Sequence, residues 1–313
     1  MNFDIIGWGA LNIDRLCHVN EFAPSDGETY INNETKACGG SASNTIIGIS
    51  KLGLNTGYIG KVGTDSNGKL MKQYLEDNNV NTDHLIVEEG ETGEVIGFVD
   101  NTGDRKLYVT PKVNDKISND EINRDYIKNT KILHLTSFVG LNPEDPSINT
   151  QMELLEELPD DIIISFDPGM LYVNRGKEFM DKLISYTDIL LINETELLMT
   201  TGKDTLKEAV DIIAPQVDIL VVKRSTEGSY IRKGNEEYNV GIFKVDTVDT
   251  TGAGDAYNAG FLYGILNNYS LEDSGIIGSY IAAQSTIKPG ATESIPYIKD
   301  INLNQIIQNF KNQ

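Results

Sequence analysis

Short apolar runs alternate along the chain with longer amphipathic stretches. The short runs are rich in β-branched residues and hold few polar positions, which is typical of strands buried on both faces of a sheet. They predict strands over residues 3–8, 56–62, 132–135, 162–166, 189–192 and 219–222. The amphipathic stretches predict helices over residues 43–52, 67–78, 150–157, 177–186, 194–200, 206–213, 253–267 and 273–287, and a short one near the C-terminus. This alternation indicates βαβ units around a mostly parallel sheet.

Two segments interrupt the alternation, residues 15–36 and residues 91–111. Both have the pattern of β-hairpins, and neither is followed by a crossover helix. In the second, strands over 95–100 and 106–110 flank a four-residue turn, Asn101-Thr102-Gly103-Asp104. We therefore expect a small antiparallel sheet that covers the carboxyl edge of the main sheet as a lid, although an edge extension of the main sheet is an alternative. The predicted main domain consists of residues 1–14, 37–90 and 112–313.

The composition excludes several classes of partner. The 313 residues include 26 Lys and Arg against 47 Asp and Glu, which gives a net charge of −21. Nucleic acids and anionic membranes require a basic surface, so neither is expected to bind. Cys17 and Cys38 form neither a CxxC motif nor a disulfide framework, which fits a reducing compartment. Without a signal-peptide pattern or a run of ~18 apolar residues, the chain is expected to be cytoplasmic.

The strongest chemical motif is the segment DTTGAGDAYNAG at residues 249–260. Its glycines run directly into a predicted helix, where exposed backbone N–H groups and the helix dipole favour an anion such as a phosphoryl group. Asp255 falls in the first helical turn, where a carboxylate can accept the proton of an attacking hydroxyl. The alternative is that Asp255 only caps the helix. The spacing GxxxxGK[ST] of a P-loop is absent.

Two weaker motifs also precede predicted helices. Residues 38–44, CGGSASN, place adjacent glycines where a ligand can approach closely, and Asn44 offers both a donor and an acceptor to a polyol. A tight turn explains these glycines equally well. Asp14, after the first strand, is a candidate acceptor for sugar hydroxyls. Residues 193–196, NETE, follow a strand and suit hydrated Mg²⁺, although Asn193 as a helix N-cap is the simpler explanation.

The three motifs together resemble the ribokinase-like (PfkB-type) carbohydrate kinases. Residues 39–63 resemble the N-terminal signature of that family, and residues 249–260 resemble its C-terminal signature. The resemblance extends from Asp14 to the segment at residues 289–296, PGATESIP. It implies a three-layer α/β/α sandwich with a mostly parallel central sheet and a small antiparallel β lid. It also implies transfer of phosphate from ATP to an alcohol group of a sugar or nucleoside, with Mg²⁺ and, in some members, K⁺.

Roles for individual residues follow from the resemblance alone. Asp255 matches the catalytic base, and Gly252, Ala253 and Gly254 match the anion hole. The acceptor sugar would be held by Asp14, Gly39, Gly40 and Asn44. Asn193 and Glu196 match the motif that organises Mg²⁺, and Lys223, Ser225 and Gly228 lie in a segment that resembles the nucleotide loop. Asp249 and Thr251 resemble a monovalent-cation site. The lid is the element through which several relatives form homodimers.

Departures from the family pattern bear on the acceptor. Ser41 and Ala42 stand where ribokinases usually have Lys and Gly, which favours a nucleoside or similar ribofuranosyl acceptor, phosphorylated on its primary hydroxymethyl group. A ribokinase, a hexose or acid-sugar kinase and a non-catalytic sensor of sugars or nucleotides remain alternatives. A Rossmann dehydrogenase is disfavoured because the segment after the first strand lacks the third glycine of GxGxxG. Arg105, beside the lid turn, is either a solvated hairpin residue or a contact for an anionic substrate.

Overall fold

The computed structural model describes residues 2–140 and 146–312. Its strands are β1 (Phe3–Trp8), β2 (Asn12–Val19), β3 (Ile31–Gly39), β4 (Thr56–Gly63), β5 (Leu85–Glu88), β6 (Gly93–Val99), β7 (Arg105–Thr110), β8 (Thr130–Thr136), β9 (Ile163–Asp167), β10 (Ile189–Asn193), β11 (Ile219–Lys223), β12 (Ser229–Lys233) and β13 (Glu236–Val240). Its α-helices are α1 (Ser41–Lys51), α2 (Ser66–Asp77), α3 (Arg124–Ile127), α4 (Pro146–Glu157), α5 (Gly169–Val173), α6 (Lys177–Ile184), α7 (Glu194–Thr201), α8 (Leu206–Ile213), α9 (Ala253–Leu266), α10 (Leu271–Ser285) and α11 (Leu303–Lys311).

The main sheet has nine strands in the order β13-β12-β11-β10-β9-β8-β1-β4-β5. The seven strands from β11 to β5 pair in parallel, and β12 and β13 add an antiparallel hairpin at one edge. The six predicted strands are confirmed and form the buried centre of this sheet. The sequence patterns missed β5, β12 and β13. Strand β5, at one edge, has only four residues. Strand β13, at the other edge, reads Glu-Glu-Tyr-Asn-Val, and β12 beside it reads Ser-Tyr-Ile-Arg-Lys, so the apolar pattern of these strands is short or interrupted by polar residues.

Each face of the main sheet carries its own apolar core because alternate residues of a strand point to opposite faces. In β10, Ile189 and Leu191 belong to one core, and Leu190 and Ile192 belong to the other. Helices α1, α9 and α10 pack in the first core, and α4, α6 and α8 pack in the second. The expected three layers are therefore confirmed.

The predicted helices are confirmed within a few residues. Helix α10 begins at Leu271, two residues earlier than predicted, because the Ser270 hydroxyl accepts the Asp273 amide at 3.1 Å and caps the helix there. Helix α4 is described from Pro146 onward. The short C-terminal helix is α11, whose apolar side packs under α10.

The lid is a separate four-stranded sheet in the order β3-β2-β6-β7. Strands β2 and β3 form one antiparallel hairpin and β6 and β7 form the other, with the turn at Asn101–Asp104 as predicted, whereas β2 and β6 pair in parallel. Strand β2 begins at Asn12 and β3 ends at Gly39, so the lid sheet extends beyond residues 15–36 and includes Asp14. The division into main domain and lid stays a prediction, and residues 1, 141–145 and 313 of that main domain lie outside the described residues.

The sheet order reverses direction beside β1. From β1 the chain order runs through β4 and β5 to one edge, and through β8, β9, β10 and β11 toward the other. In open parallel sheets, ligands bind outside the carboxyl ends of the strands at such a switch point. The motifs at residues 193–196 and 249–260 are therefore expected to meet there. Among the helices of the described residues, none has both the length and the apolarity to cross a bilayer.

Candidate active site

The segment at residues 249–260 forms the turn before α9 and its first turns. Gly252 is the N-cap residue, with a φ of +73° that favours glycine, and a Cβ added there would lie 2.5 Å from the Ala291 Cβ. The Ala253 amide donates to the Thr250 carbonyl at 3.2 Å. In the described part of the chain, the amides of Gly252 and Gly254 have no such backbone acceptor. These two N–H groups therefore remain as donors for an anion at the helix start.

Asp255 projects from the first turn of α9 toward the first turn of α1. The Ser41 hydroxyl donates to its Oδ1 at 2.6 Å, and the Asn44 side-chain amide donates to its Oδ2 at 2.8 Å. The carboxylate thus binds a neighbouring helix and does not cap its own, which removes the simpler explanation of this residue. Burial raises the pKa of Asp255 to about 7, although the two hydrogen bonds lower it. A carboxylate with that pKa can accept a proton near neutral pH.

The glycine motif after β3 brings Asp14 next to the same helix. A Cβ on Gly39 would lie 2.3 Å from Asp14 Oδ2, so only glycine leaves room for this carboxylate. Gly40, the N-cap residue of α1, has a φ of +109°, which also favours glycine. Burial raises the pKa of Asp14 to about 6. The prediction that Asp14, Gly39, Gly40 and Asn44 lie together is supported by their positions on adjoining ends of β2, β3 and α1.

Asn44 retains an unused acceptor atom. Because a carboxylate can only accept, the Asn44 Nδ2 group must face Asp255, and its Oδ1 points away. That Oδ1 is buried and has no hydrogen-bond partner among the described residues. A buried oxygen without a partner is unfavourable unless a ligand donates to it. Asn44 therefore suits a hydroxyl group that sits beside Asp255.

Asn12 and Asn114 extend this polar surface, and the sequence patterns did not single them out. Asn12 lies two residues before Asp14 in β2 and so shares its face of the strand. The Asn114 side chain is fully buried and donates to Asn12 Oδ1 at 2.9 Å and to the Leu11 carbonyl at 2.8 Å. Asn114 Oδ1 is without a partner in the part of the chain that the structure describes. The two-residue spacing from Asp14 was the signal that could have identified Asn12.

Lys223 ends β11 and is held between two buried side chains. Its Nζ donates to Asp167 Oδ2 at 2.6 Å and to Asn258 Oδ1 at 3.2 Å, and Asn258 Nδ2 donates to the same Asp167 oxygen at 2.6 Å. A Cβ on Gly254 would lie 3.7 Å from this Nζ, so the ammonium group flanks the anion donors at the start of α9. Burial lowers the pKa of Lys223, but the charges of Asp167 and Glu196 outweigh it and raise the pKa, so the lysine stays charged.

Asn193 and Glu196 form a capping box at the start of α7. Asn193 Oδ1 accepts the Glu196 amide at 2.9 Å, and Glu196 Oε2 accepts the Asn193 amide at 3.2 Å. Asn193 therefore does act as the N-cap of α7, which was the simpler explanation of this motif. The cap still leaves Glu196 as a buried carboxylate beside Asp167. Burial and the Asp167 charge raise the pKa of Glu196 to about 7. Two acidic groups facing one lysine leave a local excess of negative charge that a divalent cation would relieve.

This donor set fits Mg²⁺ bound through water better than a protein cage. Within residues 2–140 and 146–312, no group of three or more His, Cys, Asp or Glu side chains is arranged to hold a metal ion. Mg²⁺ usually keeps several waters and contacts one or two carboxylates together with substrate phosphates. Glu196, with Asn193 beside it, can supply that carboxylate at the carboxyl end of β10.

The segment that resembles a nucleotide loop is a tight turn between β11 and β12. The Arg224 amide donates to the Gly228 carbonyl at 2.7 Å, and its guanidinium donates to Glu194 Oε2 at 3.0 Å and pairs with Glu227. Ser225 has a φ of +51°, which is uncommon for a residue with a side chain. Gly228 has a φ of +82°, and a Cβ there would lie 2.0 Å from the Val240 carbonyl oxygen. The loop therefore stands beside the start of α7, next to Asn193.

Asp249 and Thr251 lie on the turn that leads into Gly252, and the lid reaches them. Arg105, the first residue of β7, donates through Nη1 to Thr251 Oγ1 at 2.8 Å and through Nη2 to Asp249 Oδ1 at 3.2 Å. Burial raises the pKa of Asp249, but hydrogen bonds from the amides of Thr251 and Gly290 and from Arg105 outweigh it and hold the pKa below its ordinary value. Arg105 is therefore not a purely solvated hairpin residue.

Apart from Ser225 and Gly228 in the loop after β11, the predicted residues thus fall into three adjoining groups at the carboxyl edge of the main sheet. The first surrounds Asp255 and Asp14, the second surrounds Lys223 and Glu196, and the third is the Asp249 turn with Arg105. The residues that the sequence patterns did not assign to the site, and that the structure adds, are Asn12, Ser41, Arg105, Asn114, Asp167 and Asn258. Asn258 follows Asp255 by three residues on the same helical face, so helical spacing could have identified it.

Comparisons with known proteins agree with this geometry. The family model described as "pfkB family carbohydrate kinase" matches residues 3–298. An uncharacterized sugar kinase of Archaeoglobus fulgidus is 42% identical over 250 residues, which are 80% of this chain and 98% of that protein. A nucleoside kinase of Methanocaldococcus jannaschii is 28% identical over 290 residues, 92% of each chain.

The fold comparison points the same way. The solved structure of the Methanocaldococcus jannaschii nucleoside kinase, an archaeal member of the ribokinase family, matches with a TM-score of 0.84 and 25% identity over 98% of this chain and 99% of that one. The match covers the main sheet and the lid alike, which confirms the fold expected from the sequence. The chain therefore belongs to the pfkB family of carbohydrate kinases and is an ATP-dependent kinase.

Proposed function

We propose that this kinase transfers the γ-phosphoryl group of ATP to the primary hydroxymethyl group of a nucleoside or similar ribofuranosyl compound, with Asp255 as the general base. The observation that carries the proposal is the position of Asp255, at the start of α9, directly beside the anion donors Gly252 and Gly254. Its pKa of about 7 allows it to take the proton of the hydroxyl as the oxygen attacks phosphorus.

The acceptor would lie between Asp255, Asn44 and Asp14. The unpartnered Asn44 Oδ1 can accept one substrate hydroxyl, and Asp14 can accept another. Gly39 and Gly40 leave the backbone open to a ring that approaches closely. This arrangement holds the reacting hydroxyl near the base while the rest of the sugar is fixed by hydrogen bonds, which is the orientation effect that in-line attack requires.

The phosphates of ATP would lie on the other side of the α9 start. The amides of Gly252 and Gly254 and the Lys223 ammonium would stabilise the charge on the transferred group, with Ala253 completing the turn. Asn193, Ser225 and Gly228 border the remaining phosphates and the base. When bound, Mg²⁺ neutralises charge on the phosphates, and Glu196 with Asn193 would hold it through water.

Two features favour a nucleoside over other acceptors. Ser41, where ribokinases usually have a lysine, donates to Asp255 and places no cation in the acceptor region. A relative aligned over 92% of this chain is named a nucleoside kinase. A ribokinase, or a hexose or acid-sugar kinase, is the alternative within the family, and the relative named a sugar kinase keeps it open. A non-catalytic sensor is disfavoured because Asp255 and both anion-donor glycines are present.

The lid is proposed to close over the acceptor and also to form a homodimer. Tyr30, Ile31, Leu107 and Tyr108 are each more than half exposed on the lid, which is unusual for large apolar side chains. Replacing Leu107 with glutamate is expected to give a monomer in light scattering coupled to size-exclusion chromatography. A wild-type chain that is already monomeric at micromolar concentration would contradict the dimer.

A coupled assay of ADP release tests the proposed function. Purified protein with ATP and Mg²⁺ would be offered nucleosides, pentoses, hexoses, acid sugars and sugar phosphates, and each product would be identified by ³¹P NMR. We expect the highest kcat/KM with a nucleoside, a phosphomonoester on its hydroxymethyl carbon, and loss of turnover in Asp255→Asn. Highest kcat/KM with ribose or a hexose would replace the proposed acceptor, and no acceptor-dependent ADP release at all would refute the proposal.

A further inference from the structure

Arg105 connects the tip of the lid to the turn that precedes the anion donors. It begins β7, beside the hairpin turn, yet its guanidinium reaches across to Asp249 and Thr251 on the main domain. The two elements are 144 residues apart along the chain, so only folding brings them together. Thr251 is directly followed by Gly252, the N-cap residue of α9. The position of the lid is thus joined to the turn that leads into α9.

The Asp249 carboxylate has one oxygen with a full set of donors when Arg105 is in place. Its Oδ1 accepts the Thr251 amide at 2.9 Å, the Thr251 hydroxyl at 2.7 Å and Arg105 Nη2. Its Oδ2 accepts the Gly290 amide at 3.1 Å. A carboxylate oxygen offers about two acceptor sites, so the three donors occupy Oδ1 fully, whereas Oδ2 has one donor. The Thr251 hydroxyl oxygen likewise accepts Arg105 Nη1.

This donor count bears on the monovalent cation that the family resemblance implied at Asp249 and Thr251. A K⁺ ion on these two oxygens would have to displace the guanidinium, because both already bind it. The guanidinium carries the same single positive charge as K⁺. Its planar fork also donates directional hydrogen bonds to two oxygens at once, whereas a spherical ion has no preferred direction. With Arg105 in place, Asp249 Oδ1 and Thr251 Oγ1 do not fit an additional cation.

We propose that Arg105 takes the place of a monovalent cation on the Asp249–Thr251 turn, so that closing the lid supplies the charge that orders the anion donors of α9. The proposal rests on the phosphoryl transfer proposed above and adds its coupling to the lid. Arg105 is a positioning residue in this account, since it acts through Asp249 and Thr251. Two consequences follow: the wild-type enzyme does not depend on K⁺, and removal of the Arg105 side chain creates such a dependence.

The test compares wild type, Arg105→Ala and Lys106→Ala at constant ionic strength, with choline chloride replaced by KCl, NH₄Cl or guanidinium chloride. Lys106 is the matched control because it neighbours Arg105 in β7 and carries the same charge, but its ammonium lies over the Phe22 ring, 4.3 Å from the centroid. We expect Arg105→Ala to lower kcat about 10- to 100-fold with less change in the acceptor KM, because a displaced turn misplaces the anion donors. About 100 mM K⁺, NH₄⁺ or guanidinium should restore part of that loss.

A second readout does not need turnover. K⁺ that binds the vacated turn should raise the Tm of Arg105→Ala but leave wild type and Lys106→Ala unchanged relative to choline, because a ligand that binds only the folded state stabilises it. Strong K⁺ activation of the wild type, or an Arg105→Ala variant whose kcat and Tm no cation alters, would overturn the proposal. If the wild type showed no acceptor-dependent ADP release but the Tm responses were as expected, the proposed function would be refuted. The replacement of the cation by Arg105 would still be supported.

Discussion

The replacement of Asp255 by asparagine should lower turnover sharply and at the same time stabilise the fold. Asparagine is isosteric with aspartate, and its carbonyl oxygen can still accept from Asn44 while its amino group donates to the Ser41 oxygen. The hydrogen bonds therefore survive, and the buried negative charge is removed. Loss of a general base typically costs 10²–10⁴ in rate, so kcat should fall at least ~100-fold.

The stabilisation can be worked from the pKa. Burial raises the pKa of Asp255 from 3.8 to about 7, so the folded chain binds this proton more tightly than the unfolded chain does. Wild-type stability therefore falls as the pH rises from about 4 to about 7, and it stays lower above that range. At 1.36 kcal/mol per pKa unit the cost is at most about 4 kcal/mol at pH 8 and about 2 kcal/mol at pH 5. Solvent still reaches part of the side chain, which reduces both values.

Calorimetry or thermal-shift measurements at pH 5 and pH 8 give the check. For a chain of this size 1 kcal/mol moves Tm by about 1.5 °C, so Asp255→Asn should melt about 3 to 6 °C above wild type at pH 8 and about half as much above it at pH 5. Asp77→Asn, which alters an exposed carboxylate at the end of α2, is the control and should change neither Tm nor kcat. An Asp255→Asn variant that is no more stable than wild type at pH 8 would refute the burial argument. A variant that keeps turnover within tenfold of wild type would refute the assignment of Asp255 as the base.

Three further predictions concern the groups around Asp255. Lys223→Met should lower kcat about 100- to 1,000-fold, because it removes a charged donor beside the transferred phosphoryl group. A near-normal kcat in steady-state kinetics would show that Lys223 does not stabilise that group. Gly39→Ala should raise the acceptor KM at least ~10-fold with kcat less affected, since its Cβ would displace the Asp14 carboxylate; an unchanged KM would separate Asp14 from the acceptor. Glu196→Gln should raise the Mg²⁺ concentration for half-maximal activity about 10- to 100-fold in a metal titration, and an unchanged requirement would place the ion elsewhere.

The pH dependence of wild-type kcat/KM follows from the same site. Asp255 must be ionised to accept a proton, and its pKa is about 7. Activity should therefore rise with pH through about 7 and then level off, as the carboxylate becomes fully ionised. A profile that is flat between pH 5 and pH 8, measured with saturating Mg²⁺ and ATP, would contradict the raised pKa.

The centre of the fold could be predicted from the sequence because burial on both faces leaves a local mark. The central strands β1, β4, β8, β9, β10 and β11 were predicted from short apolar runs, and the helices between them have amphipathic spacing. Edge strands such as β13 lack that mark, because one side of each meets solvent. Site residues within one motif could also be predicted, because a motif is local in the sequence. Gly252 and Asp255 are neighbours in the chain, so their proximity needs no tertiary information.

The contacts that make these motifs a site depend on long-range packing. Ser41 and Asp255 are 214 residues apart, Lys223 and Asp167 are 56 apart, and Arg105 meets Asp249 across 144 residues. No local pattern records such a pairing, because each side chain alone is compatible with a solvated loop or an ordinary cap. Chain order and hydrophobic periodicity therefore establish which elements form. Burial and nearby charges exist only after those elements pack together. They raise the pKa of Asp255, pair Lys223 with Asp167 and join Arg105 of the lid to Asp249.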